Sequence, residues 1–429
     1  MKDQIIISIN QFGAVHNAKI VLNQFMIFSG ASGLGKSYIA MLVHFVYRVL
    51  TGEELEDFLK QKKASLGNLS QYIDTEKHEV FSISSADFQR WVNARAKEYM
   101  VQLLSFDNLN MDIDIVFEGL PEMIRFYFKR DNSISTSDND LRGTLNISGS
   151  TFGGTSFPIS IASQINILLF TSVLSAFLAN KYRMHYLNST FFMPPSRGAI
   201  MQIPLDKQFN VFSSTPMYQE YLEKFAKIRS YSPFTTSKPI TTKLIIDGNL
   251  SEQDGEIIYN THDVAIPISA TASSIKEIAP FIMMAEKGIA RHYSTLFEEP
   301  ESHLHPELQS SVVDVMAQMI QKGAHLQITT HSDYILRRIN DLIYLHLLKK
   351  KWEDKEKFIE FCSKYGLNEN ITIDPSLVKA YFFKAEEGGM SSVIEQDLSD
   401  GVPFDTFSKV IEKSFPISTK IYGQYEELR

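Results

Sequence analysis

Eight residues near the N-terminus, Gly30-Ala31-Ser32-Gly33-Leu34-Gly35-Lys36-Ser37, fit the pattern G-x4-G-K-[ST] in full. No other stretch restricts the fold so strongly. The glycines let the backbone curl until successive N–H groups face one anion. A helix that follows such a loop sets its positive dipole end behind that anion. Lys36 would reach the outer phosphates, and the Ser37 hydroxyl suits a hard cation such as Mg²⁺. This chemistry requires a buried strand before the loop and a helix after it. Gln24–Ser29 (QFMIFS) reads as a short buried strand, and Ser37–Leu50 reads as a helix with few polar residues. The expected class is therefore α/β.

Two further strands end in chemistry. Ser294–Phe297 reads as a buried strand and runs into Glu298-Glu299-Pro300-Glu301. A phosphate-loop enzyme needs one acid in the metal shell and another to orient and polarise the attacking water. Glu298 is assigned to the metal shell and Glu299 to the water. Some thirty residues on, His325–Thr329 is a second buried strand, closed by Thr330-His331-Ser332. His331 is placed to bond a terminal phosphate. His303 and His305 have no cysteine or third histidine nearby, which argues against zinc. His305 is expected to cap the helix that begins at Pro306.

Composition removes some alternatives. The chain is 44% hydrophobic and 21% charged, as in ordinary globular proteins. Its net charge of −8 argues against a surface dominated by nucleic-acid or membrane electrostatics. Cys362 is the lone cysteine, so no intrachain disulfide can form, which fits a reducing, cytoplasmic compartment. The opening MKDQIIISINQFG lacks the apolar run of a signal peptide. The most apolar run, Ile167–Ala179, is shorter than the roughly 20 residues that span a bilayer, so no membrane partner is expected.

Along the chain, 52–105 reads as mostly helical, and Met111–Phe117 with Met123–Lys129 as an antiparallel pair. Residues 131–154 read as loops around short strands. Ile159–Tyr182 is helical, Ser189–Met193 a strand, and 205–237 helical. Short strands are expected at Lys243–Gly248, Glu256–Asn260 and Ala265–Ile268, then helices at Ser274–Gly288, Pro306–Gln321 and 333–350. The tail should hold strands at Val378–Phe383 and Val393–Asp397 and a helix from about 404. The expected division is 1–75 as the first part of a catalytic head, 76–240 as an insertion with a β-subdomain and helical arm, and 241–429 as the second part.

Taken together, LFEEPESHLHP, ITTHSDYIL and SINQFGAVHNAKIVLNQFMIFSGASGLGKS resemble the Walker B, D-loop, H-loop and Walker A segments of ABC-type ATPases of the SMC, RecF and OLD-like group. The resemblance covers about 1–50 and 240–429. In the middle it is carried only by FFMPPSRG at 191–198, where Arg197 has no role legible from physics beyond a structural salt bridge. It implies an ABC-ATPase head, a mixed sheet flanked by helices, with a largely helical insertion. It also implies that two heads sandwich two ATP molecules with Mg²⁺, in a homodimer or higher homo-oligomer. Each ATP would touch Gly30–Ser37 of one subunit and the signature helix of the other. That helix would start within Ser269–Glu277, with Ser273 and Ser274 at the phosphate. Independently, Ser274-x-x-Glu277 reads as a capping box. The segment departs from LSGGQ, with Ile275 where glycine is usual, and Glu298 replaces the usual aspartate.

The resemblance further implies hydrolysis of ATP coupled to a separate effector protein, as in stand-alone OLD-like ATPases of bacterial antiphage defence. No acidic D-x-D cluster with strand spacing follows the helix at 333–350, which argues against a built-in TOPRIM nuclease. The alternative is a DNA-repair or chromosome-maintenance ATPase of the RecF or SMC sort, with DNA as its partner.

Overall fold

Consecutive residues of the strand before the glycine loop are buried against opposite faces of one sheet, and the fold is organised around it. The computed structural model describes residues 3–62, 76–130, 142–148, 156–158, 163–203, 215–232, 240–399 and 401–402, with isolated positions 208, 212, 416 and 420. The helix expected from about 404 and parts of 131–154 and 205–237 lie outside the described residues.

The strands are β1 (Ile5–Phe12), β2 (Val15–Val21), β3 (Phe25–Gly30), β4 (His78–Ser84), β5 (Met111–Phe117), β6 (Met123–Arg130), β7 (Arg142–Ile147), β8 (Ser156–Pro158), β9 (Ser189–Met193), β10 (Asn249–Gln253), β11 (Glu256–Thr261), β12 (Val264–Pro267), β13 (Tyr293–Glu298), β14 (His325–Thr330), β15 (Val378–Ala385) and β16 (Ser391–Glu395). The helices are α1 (Lys36–Leu50), α2 (Leu55–Gln61), α3 (Ser85–Leu104), α4 (Ser163–Lys181), α5 (Arg197–Ile200), α6 (Pro216–Ser230), α7 (Ser273–Glu286), α8 (Pro306–Gln321), α9 (Asp333–Lys351) and α10 (Lys355–Lys364).

A nine-stranded mixed sheet runs β5-β1-β2-β16-β15-β3-β14-β13-β9. Its inner part, β15-β3-β14-β13-β9, is parallel throughout. Parallel strands of this kind are covered on both faces, and β3, β13 and β14 are fully buried accordingly. Met26 and Phe28 pack with Ile39, Leu42 and Phe45 of α1, whereas Phe25 and Ile27 pack with Phe281 of α7 and Val312 and Met316 of α8. Period-two alternation thus feeds two cores from one strand. The expected class, α/β with a mixed sheet flanked by helices, is what the structure shows. Among the described residues, smaller antiparallel sheets, β4-β6-β7-β8 and β10-β11-β12, complete the strands.

Register sets the site. Glu298 pairs with Thr329, Thr330 with Ser29, and Phe383 with Gly30, so β13, β14, β3 and β15 end along one edge. Ligands of open parallel sheets bind outside such carboxyl ends.

Several expectations differ. The segment 76–240 contributes β5 and β9 to the main sheet, flanking β1 and β13. His78–Ser84 is a strand, not part of a helical stretch, because its alternating Phe81 and Ile83 pair with β6. Lys243–Gly248 is a turn: Ile245 and Ile246 both donate to the Thr242 carbonyl, and both are buried, which a strand's alternation would forbid. The tail strand starts earlier, at Ser391, whose N–H bonds the Ala14 carbonyl. No helix among the described residues is long and apolar enough to cross a membrane.

Candidate functional site

The glycine loop joins β3 to α1, as its pattern requires. Gly30 has φ +133°, and a Cβ there would lie 2.4 Å from the Phe383 carbonyl oxygen of the neighbouring strand. Gly35 precedes the helix with φ +89°, and a Cβ would meet Val15 at 2.7 Å. Side chains at these positions would displace the loop from the sheet edge. Lys36 opens α1 and is buried; its ammonium donates to the carbonyls of Gly30 at 3.0 Å and Ala31 at 2.8 Å. Burial lowers its pKa to about 8, opposed by Glu299, Glu301 and Glu298.

Facing the loop across a cleft of about 370 Å³ stand Glu299, Thr329 and His331. The imidazole bridges two partners. Nδ1 lies 3.4 Å from Lys36 Nζ, and Nε2 lies 3.6 Å from Glu299 Oε1. Lysine only donates and a carboxylate only accepts, so these neighbours suit Nδ1 as an acceptor and Nε2 as a donor. His331 also holds the Glu299 carboxyl below the usual range, against the opposing effect of burial. Glu299 has a left-handed backbone, φ +43°. Its N–H donates to the Thr329 carbonyl at 3.0 Å, which ties the acid to β14.

Glu298 behaves oppositely. It is buried, and burial pushes its carboxyl up to about 7, with the Ser37 hydroxyl, Arg197 and Lys36 opposing. Its Oε1 is buried and has no hydrogen-bond partner among the described residues. An orphaned buried oxygen beside a serine hydroxyl is the donor set of a hard divalent cation. Ser37 and Glu298 are thus the residues that could hold such a cation.

The folded pKa of Glu298 exceeds its ordinary 4.5, so the folded state holds the proton more tightly between 4.5 and about 7. Stability of the ligand-free protein should fall as pH rises through that window, and the penalty is complete above it. Glu298→Gln is expected to raise the unfolding midpoint at pH 8 and to leave it nearly unchanged at pH 4.5. Thermal denaturation of both proteins across that range checks the sign.

The loop residues Gly30–Ser37 and the pair Glu299 and His331 come together as expected, with Glu298 beneath them. Ser273 and Ser274 do not line this cleft. They open α7 behind Ala272, which stands at the N-cap without a side-chain bond, so the capping box at Ser274 and Glu277 does not form. Glu277 turns instead to Arg197, with Nε–Oε2 at 3.5 Å. His305 does occupy an N-cap, but its side chain makes no capping bond.

Sequence reasoning missed two features and took a third, Arg197, no further than a structural salt bridge. Tyr38 and Ala14 line the cleft. Glu301 accepts from the Thr330 hydroxyl and the His331 N–H. Arg197 is fully buried and reaches four backbone carbonyls, those of Glu277, Pro194, Glu298 and, at 3.5 Å, Glu299. Its guanidinium lies over the Phe297 ring, 4.5 Å from the centroid. Only the run FFMPPSRG hinted at it.

Among solved structures, the chain is similar to an SMC head bound to the C-terminal winged-helix domain of ScpA, at 14% identity, covering 92% of this chain and 98% of that one, with a TM-score of 0.36. It is similar to the SMC head domain from Thermotoga maritima at 12% identity, 92% and 100% coverage and a TM-score of 0.33. An Smc head with an extended coiled coil, bound to a ScpA domain derived from Pyrococcus furiosus, gives 13%, 98%, 99% and 0.34. TM-scores this low do not define a shared fold. No curated protein sequence matches the chain. Residues 201–336, which carry Glu298, Glu299 and His331 but not the glycine loop, match the family model described as an AAA ATPase domain.

Proposed function

We propose that the chain binds ATP with Mg²⁺ in the cleft between Gly30–Ser37 and the ends of β13 and β14, and hydrolyses it. One observation carries this reading: Lys36, Glu299 and His331 converge across the glycine loop. The match of residues 201–336 to an AAA ATPase domain supports it. Backbone N–H groups of the loop and Lys36 hold the phosphates. Ser37 and Glu298 hold the cation, which when bound neutralises phosphate charge. Glu299, ionised at neutral pH, accepts a hydrogen bond from the attacking water. His331 contacts the terminal phosphate. Lys36→Ala should weaken MgATP binding at least about tenfold, a loss of roughly 1.4 kcal/mol, in calorimetric titration. Unchanged affinity would exclude the cleft as the nucleotide site.

The assembly we favour follows the SMC, RecF and OLD-like pattern. Two heads face each other, and Ser273 and Ser274 of one complete the cleft of the other. Support comes from α7, whose first turn begins with exposed Ser273 and carries N–H groups suited to an anion. The same resemblance, through LFEEPESHLHP and ITTHSDYIL, favours control of a separate effector in antiphage defence. Affinity purification from the native host during phage challenge tests this: a co-purifying effector supports it, and a solitary chain whose deletion leaves infection unaffected defeats it. ATP-dependent retention of DNA with a steep salt dependence would point to the repair class instead.

A further inference from the structure

We infer that Glu301 is a positioning residue for His331, coupling the loop after β13 to the phosphate contact at the end of β14; this rests on the reading of the cleft as an ATPase site. The reason lies in where the ladders stop. Thr330 is the last residue of β14 in register with β3, and Thr329 the last in register with β13. The His331 N–H therefore emerges beyond both neighbours, where the sheet supplies no acceptor. Glu301 supplies one: its Oε1 accepts the His331 N–H at 2.7 Å and the Thr330 hydroxyl at 2.9 Å.

The connection continues in both directions. Thr330 Oγ1 accepts the Ser332 N–H at 3.0 Å, and Ser332 Oγ caps α9 by accepting from Tyr334 and Ile335. On the other side, the Ser302 N–H returns to the Glu299 carbonyl at 3.0 Å, so Glu299 and Glu301 belong to one closed turn. A movement of this turn carries the acid and the anchor of the histidine together. Glu301 touches neither Lys36 nor the glycine loop by any hydrogen bond among the described residues. Its charge also acts on Lys36, and Glu301→Gln separates that effect from the hydrogen bonds that reach the cleft through His331.

Both donors use a single oxygen, and an amide oxygen accepts as well as a carboxylate. Glu301→Gln should thus keep most of the turnover. Glu301→Ala frees the His331 backbone, and a displacement of about 1 Å at a reacting contact can cost about 100-fold. The expected result is a loss of kcat of that order with KM for ATP changed less than about threefold. The decisive comparison is a double-mutant cycle. In a His331→Ala background, Glu301→Ala should cost nothing further. Additive losses, or Glu301→Gln as impaired as Glu301→Ala, would overturn the inference. Glu301→Asp, too short to reach both donors, serves should the alanine variant fail to fold, and should resemble the alanine prediction. Absence of ATP hydrolysis in the unaltered protein would sink the ATPase reading itself and this inference with it; hydrolysis with an additive cycle would sink the inference alone.

Discussion

Glu299→Gln is expected to reduce ATP turnover by about 1,000-fold while leaving MgATP binding intact, because it removes a proton-accepting base and little else. Glutamine matches glutamate in size, and the N–H of residue 299 keeps its bond to the Thr329 carbonyl. What changes is the group aimed into the cleft. His331 holds the Glu299 carboxyl below its usual range, so it is ionised throughout the neutral region. An amide cannot take a proton from water. The neighbouring acid is held in the opposite condition: Glu298 is pushed up to about 7 by burial, and its Oε1 has no hydrogen-bond partner among the described residues. Two adjacent carboxyls with pKa values driven apart can divide the labour, one as base and one as cation ligand. Single-turnover hydrolysis and equilibrium nucleotide binding, measured on the same preparation, separate the two roles. Turnover at the level of the unaltered protein would remove Glu299 from the role assigned to it.

The parts of the site that are local in sequence are legible in the residues themselves. Strand, glycine loop and helix from Phe25 to Leu50 follow from a buried apolar run, glycines and a long segment with few polar residues. LFEE and ITTH each read as a buried strand delivering polar groups to one edge. Non-local partners are not legible in this way. The pairing of β5 with β1, and of β9 with β13, depends on long-range register that no local pattern encodes. Ser274 and Glu277 have capping-box spacing, yet Glu277 is drawn to Arg197, 80 residues earlier in the chain. Lys243–Gly248 is rich in residues that favour strands, but its two isoleucines are buried side by side by a turn. Glu301 is visible as part of an acidic tract; its task is hidden, because its partners lie about 30 residues on.

Arg197→Met should destabilise the fold by about 3–5 kcal/mol, the cost of removing one member of a buried ionic pair. Methionine fills a similar length of space, so the loss is chiefly electrostatic. Removing the guanidinium leaves the Glu277 carboxylate buried at 3% exposure without its cation. It also takes one hydrogen bond from each of the Glu277, Pro194 and Glu298 carbonyls, now bonded at 2.9, 3.0 and 2.8 Å. Unsatisfied buried acceptors are costly in themselves. Lysine keeps the charge, but one compact ammonium lacks the spread of the planar fork that reaches Glu277, Pro194 and Glu298, so Arg197→Lys should fall between the unaltered protein and Arg197→Met. Adding Glu277→Gln to Arg197→Met removes the stranded charge and should recover part of the loss in chemical denaturation. A double variant no more stable than the single one would mean that the carbonyls, not the charge, dominate. The location makes the pair more than a stability device. Arg197 bonds the carbonyl at the end of β13 and the first turns of α7 through the same planar group. A shift of α7 would therefore be felt at Glu298 and Glu299 through one planar group.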